Sequence, residues 1–497
     1  MSTAQGETNV LAFDLGATSG RAILGSLAGG KLAIQEIHRF PNEAVRANGE
    51  LHWDILRLWQ EMQAGLRLAG SQSGRPLASI GVDTWGVDYA LLGERGTLIE
   101  NPYHYRDART EGMVEKACGV VGADRIYEAT GIQFMALNTL YQLYAASLRT
   151  PRLLAAAEAL VTVPDLLNYW LTGVIRCEYT EATTTQFLDP RTGAWAADLL
   201  ADLGIPTHFL QPIVQPGTAL GGLRPELACG EGLKGATVIA PACHDTGSAV
   251  AAVKTGGATA FLSSGTWSLL GTEVPTAIVN ADSRRLNFTN EGGVGGTFRL
   301  LKNITGLWLL EGCIKAWEME GRKYGYGELL DAAREQEPLR TLIDPDDAAF
   351  VAPEHMPRAI DAFCARTGQR APGTPGDYTR TILESLALKY RYVLEQLGTI
   401  AGVRFERIRV IGGGCRNHLL NQFTAAATGC RVLAGPAEAT ALGNMAMQLV
   451  GIGAVASIDD ARALIESSFP AQTYSPEGSA AWDTAYPAFQ SLVKRPL

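Results

Sequence analysis

Two stretches of the sequence share one pattern: an apolar segment, a turn of Gly, Ser and Thr, and a second apolar segment. They are "NVLAFDLGATSGRAILGSL" (9–27) and "TAFLSSGTWSLLGTEV" (259–274). Apolar segments separated by a short Gly-containing turn predict β-hairpins. Because each hairpin opens one half of the chain, two halves built on the same plan are expected. An internal duplication and a chance similarity both explain a repeat this short.

Helical periodicity follows each hairpin. Apolar residues recur at i, i+3 and i+4 in the segments 55–69 and 379–397, which predicts amphipathic helices there. Strands and helices alternate along the chain, so we predict an α/β fold. A chain of 497 residues is too long for one ordinary core. We place the boundary near "KTGGA" (254–258), with an N-terminal domain over 1–254 and a C-terminal domain over 255–497.

Composition narrows the class of protein. The net charge of −9 argues against a broad nucleic-acid surface, although local backbone N–H groups can still bind a nucleotide. The first residues, "MSTAQGETNVLAFDLG", lack the basic and apolar regions of a secretory signal. No apolar run approaches the roughly 18 residues of a membrane span. Eight cysteines occur without a C-x-x-C pair, which favours reduced thiols. We therefore predict a soluble cytoplasmic protein with neither nucleic-acid nor membrane partners.

Several common site motifs are missing from the sequence. It contains no P-loop of the form G-x-x-x-x-G-K-[ST], no H-E-x-x-H and no G-x-S-x-G. One G-x-G-x-x-G occurs at Gly230, Gly232 and Gly235. It precedes the apolar segment "ATVIA" instead of following a strand, which is the wrong order for a dinucleotide site. We interpret it as a turn.

The first glycine turn, "DLGATSGR" (14–21), has the chemistry of a phosphate site. Gly16 and Gly20 would allow close approach to the backbone, and Thr18 and Ser19 add hydroxyl donors. Asp14 ends the first strand and could hold Mg²⁺, directly or through water. The alternative is a solvated hairpin turn capped by an aspartate.

Two further stretches in the second half have similar chemistry. "SSGTWS" presents Gly265 and Thr266 in the second hairpin turn. "VIGGGCRNHLLNQ" (410–422) is a strand, three glycines and a helix, with Asn417 near the helix start. Bare backbone at a helix start suits a phosphate or a flat ring. A tight strand-to-helix turn without a ligand is the alternative.

"PACHDT" (241–246) places Cys243, His244, Asp245 and Thr246 directly after the apolar segment "ATVIA". Removing a carboxylate from water is costly. Asp245 is therefore either compensated structurally or placed there for chemistry.

Taken together, these stretches resemble the FGGY carbohydrate kinases. The similarity covers about residues 9–475 and lies in "FDLGATSGR", "GVDTWGVDYALL", "YRDAR", "VPDLLNYWLTG", "CHDTGSAV", "LSSGTWSLLG", "NEGG" and "VIGGGCRN". "IHRFPN", "GIQFMALNTLYQL", "EYTEATTTQ", "LKNITGLWLLE" and "AGPAEATALGN" resemble the branch that phosphorylates L-rhamnulose at O1. The chain reads "NTLYQL" (138–143) where the wider family has a Lys-x-Trp stretch, a departure from the glycerol and xylulose kinases.

The resemblance implies a fold and a reaction. The fold is two actin-like/ribonuclease-H-like α/β domains with an interdomain active-site cleft. The reaction is ATP-dependent phosphorylation of a ketose with Mg²⁺ as cofactor, in L-rhamnose catabolism. L-fuculose or xylulose kinase activity is the alternative within the family. The small molecules bound would be the ketose and ATP, and the chain would be a monomer or a homodimer.

The resemblance also assigns roles to individual residues. Asp245 would be the catalytic base that takes the proton of the sugar hydroxyl. The sugar would also meet Gly86, His244, Thr246 and Asn303. The residues implied for ATP are Ala17, Thr18, Ser19, Gly20, Arg21, Thr266, Glu311, Gly413 and Asn417. Glu311 stands where a neutral amide is expected.

Four residues in two motifs carry more than one interpretation. Trp85, in "DTWGVD", would either form part of the sugar wall or be a core aromatic. In "YRDAR", we favour a structural ion-pair network of Arg106, Asp107 and Arg109 over a direct role.

Two other function classes are weighed against the kinase. A non-catalytic sugar sensor would lack the base, whereas Asp245 is present. A chaperone-type ATPase would need a separate peptide-binding domain, and the sequence shows none after residue 460.

Overall fold

The structure is a computed structural model that describes residues 7–351 and 353–493. Its strands are β1 (Thr8–Leu15), β2 (Ser19–Ala28), β3 (Lys31–Pro41), β4 (Ala44–Ala47), β5 (Glu50–Trp53), β6 (Leu77–Thr84), β7 (Tyr89–Leu92), β8 (Ala159–Thr162), β9 (Cys177–Glu178), β10 (Leu188–Asp189), β11 (Ala194–Trp195), β12 (Ile213–Val214), β13 (Thr218–Gly222), β14 (Thr237–Ala240), β15 (Thr259–Ser264), β16 (Trp267–Val274), β17 (Thr289–Gly292), β18 (Phe298–Thr305), β19 (Arg407–Ile411), β20 (Arg431–Ala434) and β21 (Gln472–Tyr474).

The helices are α1 (Ile55–Gln72), α2 (Met113–Val121), α3 (Ala123–Thr130), α4 (Thr139–Arg149), α5 (Pro151–Ala156), α6 (Val163–Thr172), α7 (Tyr179–Thr184), α8 (Ala197–Asp202), α9 (Asp245–Ala251), α10 (Ala281–Arg285), α11 (Trp308–Met319), α12 (Tyr326–Arg334), α13 (Met356–Arg366), α14 (Pro375–Ala401), α15 (His418–Thr428), α16 (Ala439–Gly451), α17 (Ile458–Ser468) and α18 (Ser479–Leu492). The predicted α/β class is confirmed, as are both hairpins and the helices over 55–69 and 379–397.

The chain forms two compact units. Unit 1 comprises residues 1–254, 274–299 and 439–470, and unit 2 comprises 255–273, 300–438 and 471–497. Unit 2 thus lies within the second half of the sequence, whereas unit 1 takes segments from both halves. The single domain boundary at residue 254 stays a prediction.

A six-stranded sheet lies at the centre of unit 1, in the order β13-β14-β6-β1-β2-β3. Strand β1 is antiparallel to β2 and parallel to β6, and β6 is parallel to β14. Because β1, β6 and β14 run in the same direction, their carboxyl ends meet at one edge of the sheet. Loops at this edge are where α/β sheets commonly bind ligands.

Helix α1 packs one apolar face on this sheet. Ile55, Leu58, Met62 and Leu66 on that face are buried. The helix approaches closely at Gly65, where a Cβ atom would lie 2.8 Å from the Phe13 ring. The helical spacing of these residues is therefore explained by contact with β1 and its neighbours.

Helix α16 packs on β1 and β6 through polar side chains. Gln448 donates from Nε2 to the Leu11 carbonyl (3.0 Å) and accepts from Ser79 Oγ (2.8 Å). Asn444 donates from Nδ2 to Asp83 Oδ2 (2.6 Å). Gly81 on β6 makes room for this helix, because a Cβ there would lie 2.5 Å from Asn444 Oδ1. A helix from the far end of the sequence thus completes unit 1.

The strands of unit 2 follow the order β18-β16-β15-β19-β20-β21. Strand β15 is antiparallel to β16 and parallel to β19, β19 is parallel to β20, and β20 is antiparallel to β21. Both units therefore have a hairpin, two parallel strands and an antiparallel edge strand. The edge strand precedes its neighbour in the sequence of unit 1 and follows it in unit 2.

Two further findings concern the chain as a whole. All eight cysteines are free, as predicted. Within the parts of the chain that the structure describes, no helix is both long and apolar enough to cross a bilayer.

The glycine motif at 230–235 is a short turn before β14, as predicted.

Candidate active site

Two aspartates lie side by side at the carboxyl edge of the unit 1 sheet. Asp14 on β1 pairs in register with Asp83 on β6. Asp14 forms a 2.5 Å salt bridge with Arg21, and Asp83 is fully buried against Asn444. Burial raises the pKa of Asp83 well above its usual range, and the negative charges of Asp14 and Asp245 raise it further. Asp83 is therefore a buried carboxyl group held by Asn444 at this edge.

The segment 241–246 passes the same edge between β14 and α9. Its backbone is held at three points: Thr84 N donates to the Cys243 carbonyl (2.8 Å), Cys243 N donates to Glu178 Oε2 (3.1 Å), and His244 N donates to Thr180 Oγ1 (3.1 Å). Asp245 is the first residue of α9. The segment is fixed from both sides, which limits the positions that Asp245 can take.

Glu178 is the buried anchor of this segment. Besides the Cys243 amide, its carboxylate accepts from Thr180 N (2.9 Å), Thr180 Oγ1 (2.5 Å) and Glu181 N (3.2 Å). Burial raises the pKa of Glu178 to about 7 in spite of these donors. One side chain therefore caps α7 and ties it to the loop that carries Asp245.

Asp245 keeps part of its side chain in solvent, with 34% exposed. Its Oδ1 accepts from Thr246 N (2.5 Å) and Thr246 Oγ1 (3.1 Å), and lies 3.4 Å from His244 Nε2. Oδ2 makes none of these contacts. A carboxylate with one oxygen held and the other available can accept a proton from a bound hydroxyl.

The imidazole of His244 lies between Asp245 and a buried ion pair. On its other side, His244 Nδ1 lies 3.1 Å from Arg299 Nη2 and 3.4 Å from Glu291 Oε2. Arg299 has no exposed surface, and its Nη2 lies 3.2 Å from Glu291 Oε2. Burial opposes the charge on Glu291, but Arg299 and His244 together hold its pKa below the usual range.

Bare backbone faces this imidazole at Gly86. A Cβ atom on Gly86 would lie 3.0 Å from Thr184 Cγ2 and 3.2 Å from His244 Nε2. The next residue, Val87, has φ +70, a strained conformation for a β-branched residue. Its N–H donates to Thr184 Oγ1 (3.0 Å), and its carbonyl accepts from Thr139 Oγ1 (2.6 Å). Such strain is typical of functional sites.

Trp85 is a core aromatic, which decides between its two interpretations. It is 5% exposed, its ring centroid lies 3.9 Å from that of Trp53, and its Nε1 donates to Asp88 Oδ2 (2.9 Å). Burial raises the pKa of Asp88 to about 6, although the hydrogen bonds that this carboxylate accepts act to lower it. Trp85 thus belongs to the buried core of unit 1, directly before Gly86 in the chain.

Asp107 and Arg109, two members of the predicted ion-pair network of Arg106, Asp107 and Arg109, are held by contacts other than an ion pair with each other. The Asp107 carboxylate accepts from the N–H groups of Leu51 (2.7 Å) and Arg109 (2.9 Å). The Arg109 guanidinium donates to Gln142 Oε1 (2.8 Å) and lies 3.6 Å from the centroid of the Tyr103 ring. Hydrogen bonds and a cation–π contact hold this segment.

The first hairpin turn, 16–19, has a fixed shape. Gly16 N donates to the Ser19 carbonyl (2.9 Å), and Asn42 N donates to the Thr18 carbonyl (3.0 Å). Thr18 is exposed, and Ala17 and Ser19 are half-buried. Donors of this turn can therefore reach a ligand.

Gly20 and Arg21 lie on β2, after the turn. A Cβ on Gly20 would come within 2.3 Å of the Phe40 ring, so packing alone explains the glycine. Arg21 is held by Asp14.

In unit 2, Thr266 and Glu311 are in direct contact. Thr266 Oγ1 lies 3.1 Å from Glu311 Oε1, and the Thr266 carbonyl accepts from the N–H groups of Gly306 (3.1 Å) and Trp308 (3.2 Å). Glu311 lies in the first turn of α11, where the helix dipole favours a negative charge. This position explains a carboxylate where the resemblance implied an amide.

The glycine loop 412–414 precedes α15. Gly412 has φ +79, and a Cβ on Gly414 would lie 2.1 Å from Ser264 Oγ. Gly413, by contrast, is open, with no atom within 4 Å of a Cβ position. Asn417 accepts from Leu420 N (2.9 Å) and donates from Nδ2 to the hydroxyl of Tyr326 (2.9 Å).

Asn303 lies on β18 in unit 2 and is half-buried.

The structure thus brings Asp14, Gly86, His244, Asp245 and Thr246 to one edge of unit 1, and Thr266 and Glu311 together in unit 2. Sequence reasoning missed the roles of Glu178, Thr180, Glu291 and Arg299. Their only signal was that they fall in or near the stretches "EYTEATTTQ" and "NEGG". Over 7–351 and 353–493, no group of three or more His, Cys, Asp or Glu side chains is arranged to hold a metal.

Comparison with known proteins shows the family of this chain. Residues 9–252 match the N-terminal domain of the FGGY family of carbohydrate kinases, and residues 260–452 match its C-terminal domain. The chain belongs to the FGGY family of carbohydrate kinases.

Curated relatives of this FGGY kinase align over its whole length. It is 46% identical over 487 residues to a rhamnulokinase of Bacteroides thetaiotaomicron, covering 98% of this chain and 99% of that one. A rhamnulokinase of Yersinia pestis bv. Antiqua is 40% identical over 490 residues, covering 98% and 99%. A crystal structure of gluconate kinase from Lactobacillus acidophilus superposes with a TM-score of 0.81 at 17% identity, covering 98% of each chain. The predicted two-domain kinase fold is confirmed.

Proposed function

We propose that this FGGY kinase transfers the γ-phosphoryl group of ATP to O1 of L-rhamnulose, giving L-rhamnulose 1-phosphate and ADP in L-rhamnose catabolism. The full-length similarity to proteins named rhamnulokinase supports the choice of sugar. The observation that carries the chemistry is the Asp245 carboxylate, partly exposed, with Oδ1 held and Oδ2 available at a rigid sheet edge.

Asp245 is the general base of the proposed reaction. A sugar hydroxyl is a weak nucleophile at neutral pH because its own pKa is far higher. Asp245 accepts the O1 proton while the O1–phosphorus bond forms and the bond from phosphorus to the bridging oxygen of ADP breaks. A positioned base of this kind contributes about 10²–10⁴-fold.

The remaining roles are divided by ligand. The ketose is proposed to bind beside Asp245, to Gly86, His244 and Thr246. Asn303 is proposed to form a hydrogen bond with one of the sugar hydroxyls. The proposed nucleotide ligands are Ala17, Thr18, Ser19, Gly20, Arg21, Thr266, Glu311, Gly413 and Asn417. Open backbone at Gly413 and the exposed hydroxyl of Thr18 support this assignment.

The Asp14 carboxylate could supply one oxygen ligand to a divalent cation bound with the nucleotide. Carboxylate oxygens are the ligands that Mg²⁺ prefers, and it usually keeps several waters. Asp14 would hold this cation as well as its salt-bridge partner Arg21. When bound, Mg²⁺ would neutralise phosphate charge.

The test is a coupled ADP-release assay with L-rhamnulose, L-fuculose and D-xylulose. We expect the highest kcat/KM with L-rhamnulose, and a 1-phosphate product by ³¹P NMR. Asp245→Asn should lower kcat by about 10²–10⁴-fold with the Kd for ATP unchanged. Asp202→Asn, at an exposed site in the same unit, is the matched control. A preference for another ketose would overturn the proposed substrate, and near-normal kcat in Asp245→Asn would overturn the base.

A further inference from the structure

Arg299 is a fully buried charge beside the proposed base. Its side chain is 0% exposed, although arginine is rarely buried to this extent. Nε donates to the Gly292 carbonyl (2.9 Å), and Nη2 reaches both Glu291 Oε2 (3.2 Å) and His244 Nδ1 (3.1 Å). A buried ion pair adds little net stability compared with apolar packing. Its position next to His244 therefore points to a role in the site.

The chemistry of the guanidinium decides the state of the imidazole. Arginine can only donate hydrogen bonds, so the Arg299–His244 bond requires a lone pair on Nδ1. The proton of the neutral ring then lies on Nε2, which is the nitrogen 3.4 Å from Asp245 Oδ1. A proton on Nε2 would be attracted electrostatically to the Asp245 carboxylate 3.4 Å away, whereas a lone pair there would be repelled by it.

Glu291 would favour the opposite arrangement if it acted alone. Its Oε2, 3.4 Å from His244 Nδ1, is an acceptor and would attract a proton onto Nδ1. The lone pair on Nε2 would then face Asp245. Arg299 lies closer to Nδ1 than Glu291 does and also pairs with Glu291. Of the two acidic groups that face this imidazole, Glu291 is therefore neutralised by the guanidinium, and Asp245 is left to attract the proton on Nε2.

We infer that Arg299 is a positioning residue that fixes His244 as the Nε2–H tautomer, so that His244 holds Oδ1 of Asp245 and leaves Oδ2 for the sugar hydroxyl. The inference rests on the proposed role of Asp245. It assigns no contact with substrate to Arg299 or Glu291, which act through His244.

The tautomer can be measured directly. The full-length protein is labelled with ¹⁵N-histidine, and His244→Gln assigns the His244 signals among the seven histidines. We expect a protonated-type ¹⁵N shift at Nε2 and an unprotonated-type shift at Nδ1. A proton on Nδ1, alone or with one on Nε2, would overturn the inference whatever the activity. Because this readout needs no substrate, it is independent of the proposed function.

Variants of the two residues then distinguish the effect of Arg299 on the His244 tautomer from that of Glu291. Arg299→Met should move the proton to Nδ1 and lower kcat for L-rhamnulose about 10–100-fold, the loss expected from a misplaced catalytic group, with the KM for ATP unchanged. Arg299→Lys should recover part of kcat. Glu291→Gln keeps the Arg299 donor and should retain both the tautomer and most of kcat. Equal losses in Arg299→Met and Glu291→Gln, or a reversed tautomer with unchanged kcat, would overturn the positioning role.

Arg299→Met leaves Glu291 buried without its partner, so its folding needs a check. Arg299→Met/Glu291→Met removes both charges and provides no donor to Nδ1. If the single variant does not fold, this double variant takes its place. It should lose the fixed tautomer and show the same fall in kcat, whereas a preserved Nε2–H tautomer would contradict the inference.

Discussion

Replacing Glu178 by glutamine tests how the loop that carries Asp245 is held. The carboxylate accepts from three backbone N–H groups and one hydroxyl. Below pH 5 the Glu178 side chain is protonated, but both of its oxygens still carry lone pairs that can accept. Glutamine keeps one acceptor oxygen and places an NH₂ group, which cannot accept, against at least one of these donors. A buried donor left without a partner costs about 1–3 kcal/mol. Below pH 5 we therefore expect Glu178→Gln to be less stable than the wild type by about that amount.

The difference should disappear as the pH rises. Burial raises the pKa of Glu178 in the folded state from its ordinary value of 4.5 to about 7. Between these values the folded protein holds more protons than the unfolded chain, so wild-type stability falls as the pH increases. This raised pKa corresponds to a loss of about 3 kcal/mol of wild-type stability as the pH rises through this range. Glutamine does not titrate. The variant should therefore equal or exceed the wild type in stability at pH 8.5.

Urea unfolding followed by tryptophan fluorescence measures this difference at pH 5, 6, 7 and 8.5. Each variant is compared with the wild type at the same pH, so that changes in other groups cancel. Glu158→Gln, on an exposed side chain of the same unit, is the control and should differ little at any pH. A Glu178→Gln deficit that stays constant across this range would refute the reasoning.

Two further predictions concern the sugar side of the site. Gly86→Ala should lower kcat/KM for the ketose at least about 10-fold, because the new Cβ would press on Thr184 and His244. The Kd for ATP, measured by calorimetry, should not change. A weaker affinity for ATP would show a wider structural effect instead. Asn303→Ala should narrow the kcat/KM gap between L-rhamnulose and L-fuculose by about 1–3 kcal/mol, since the hydrogen bond proposed between the half-buried Asn303 amide and a sugar hydroxyl favours the ketose whose hydroxyl it matches. An unchanged ranking of ketoses would remove Asn303 from the selectivity.

The local parts of the fold could be predicted from the sequence because they depend on short-range patterns. The hairpin at 9–27 and the helix at 55–69 follow from apolar spacing and turn residues that lie within a few positions of one another. The pattern after the apolar segment "ATVIA" singled out Asp245 but left its role open, and only the resemblance to FGGY kinases implied that it is the base. These features need no knowledge of which distant residues meet.

The partners of the site could not be predicted, because they are separated widely in sequence. Glu178 reaches Cys243 across 65 residues, and Arg299 reaches His244 across 55. The reason for Gly20 was also hidden, since only the structure shows the Phe40 ring against it. The sequence could not decide whether Trp85 is a core aromatic or part of the proposed sugar site, because only the structure shows its contact with Trp53.

Helix α16 has a consequence for synthesis on the ribosome. It provides the amide partner of Asp83, and 361 residues separate Asp83 from Asn444. During translation the first sheet therefore leaves the exit tunnel long before the helix that covers part of it has been made. Nascent chains with exposed apolar strands are prone to aggregate. A gene cut after residue 254 omits both later segments of unit 1, 274–299 and 439–470. It should accordingly yield a fragment that needs these segments supplied in trans, or a chaperone, to stay in solution.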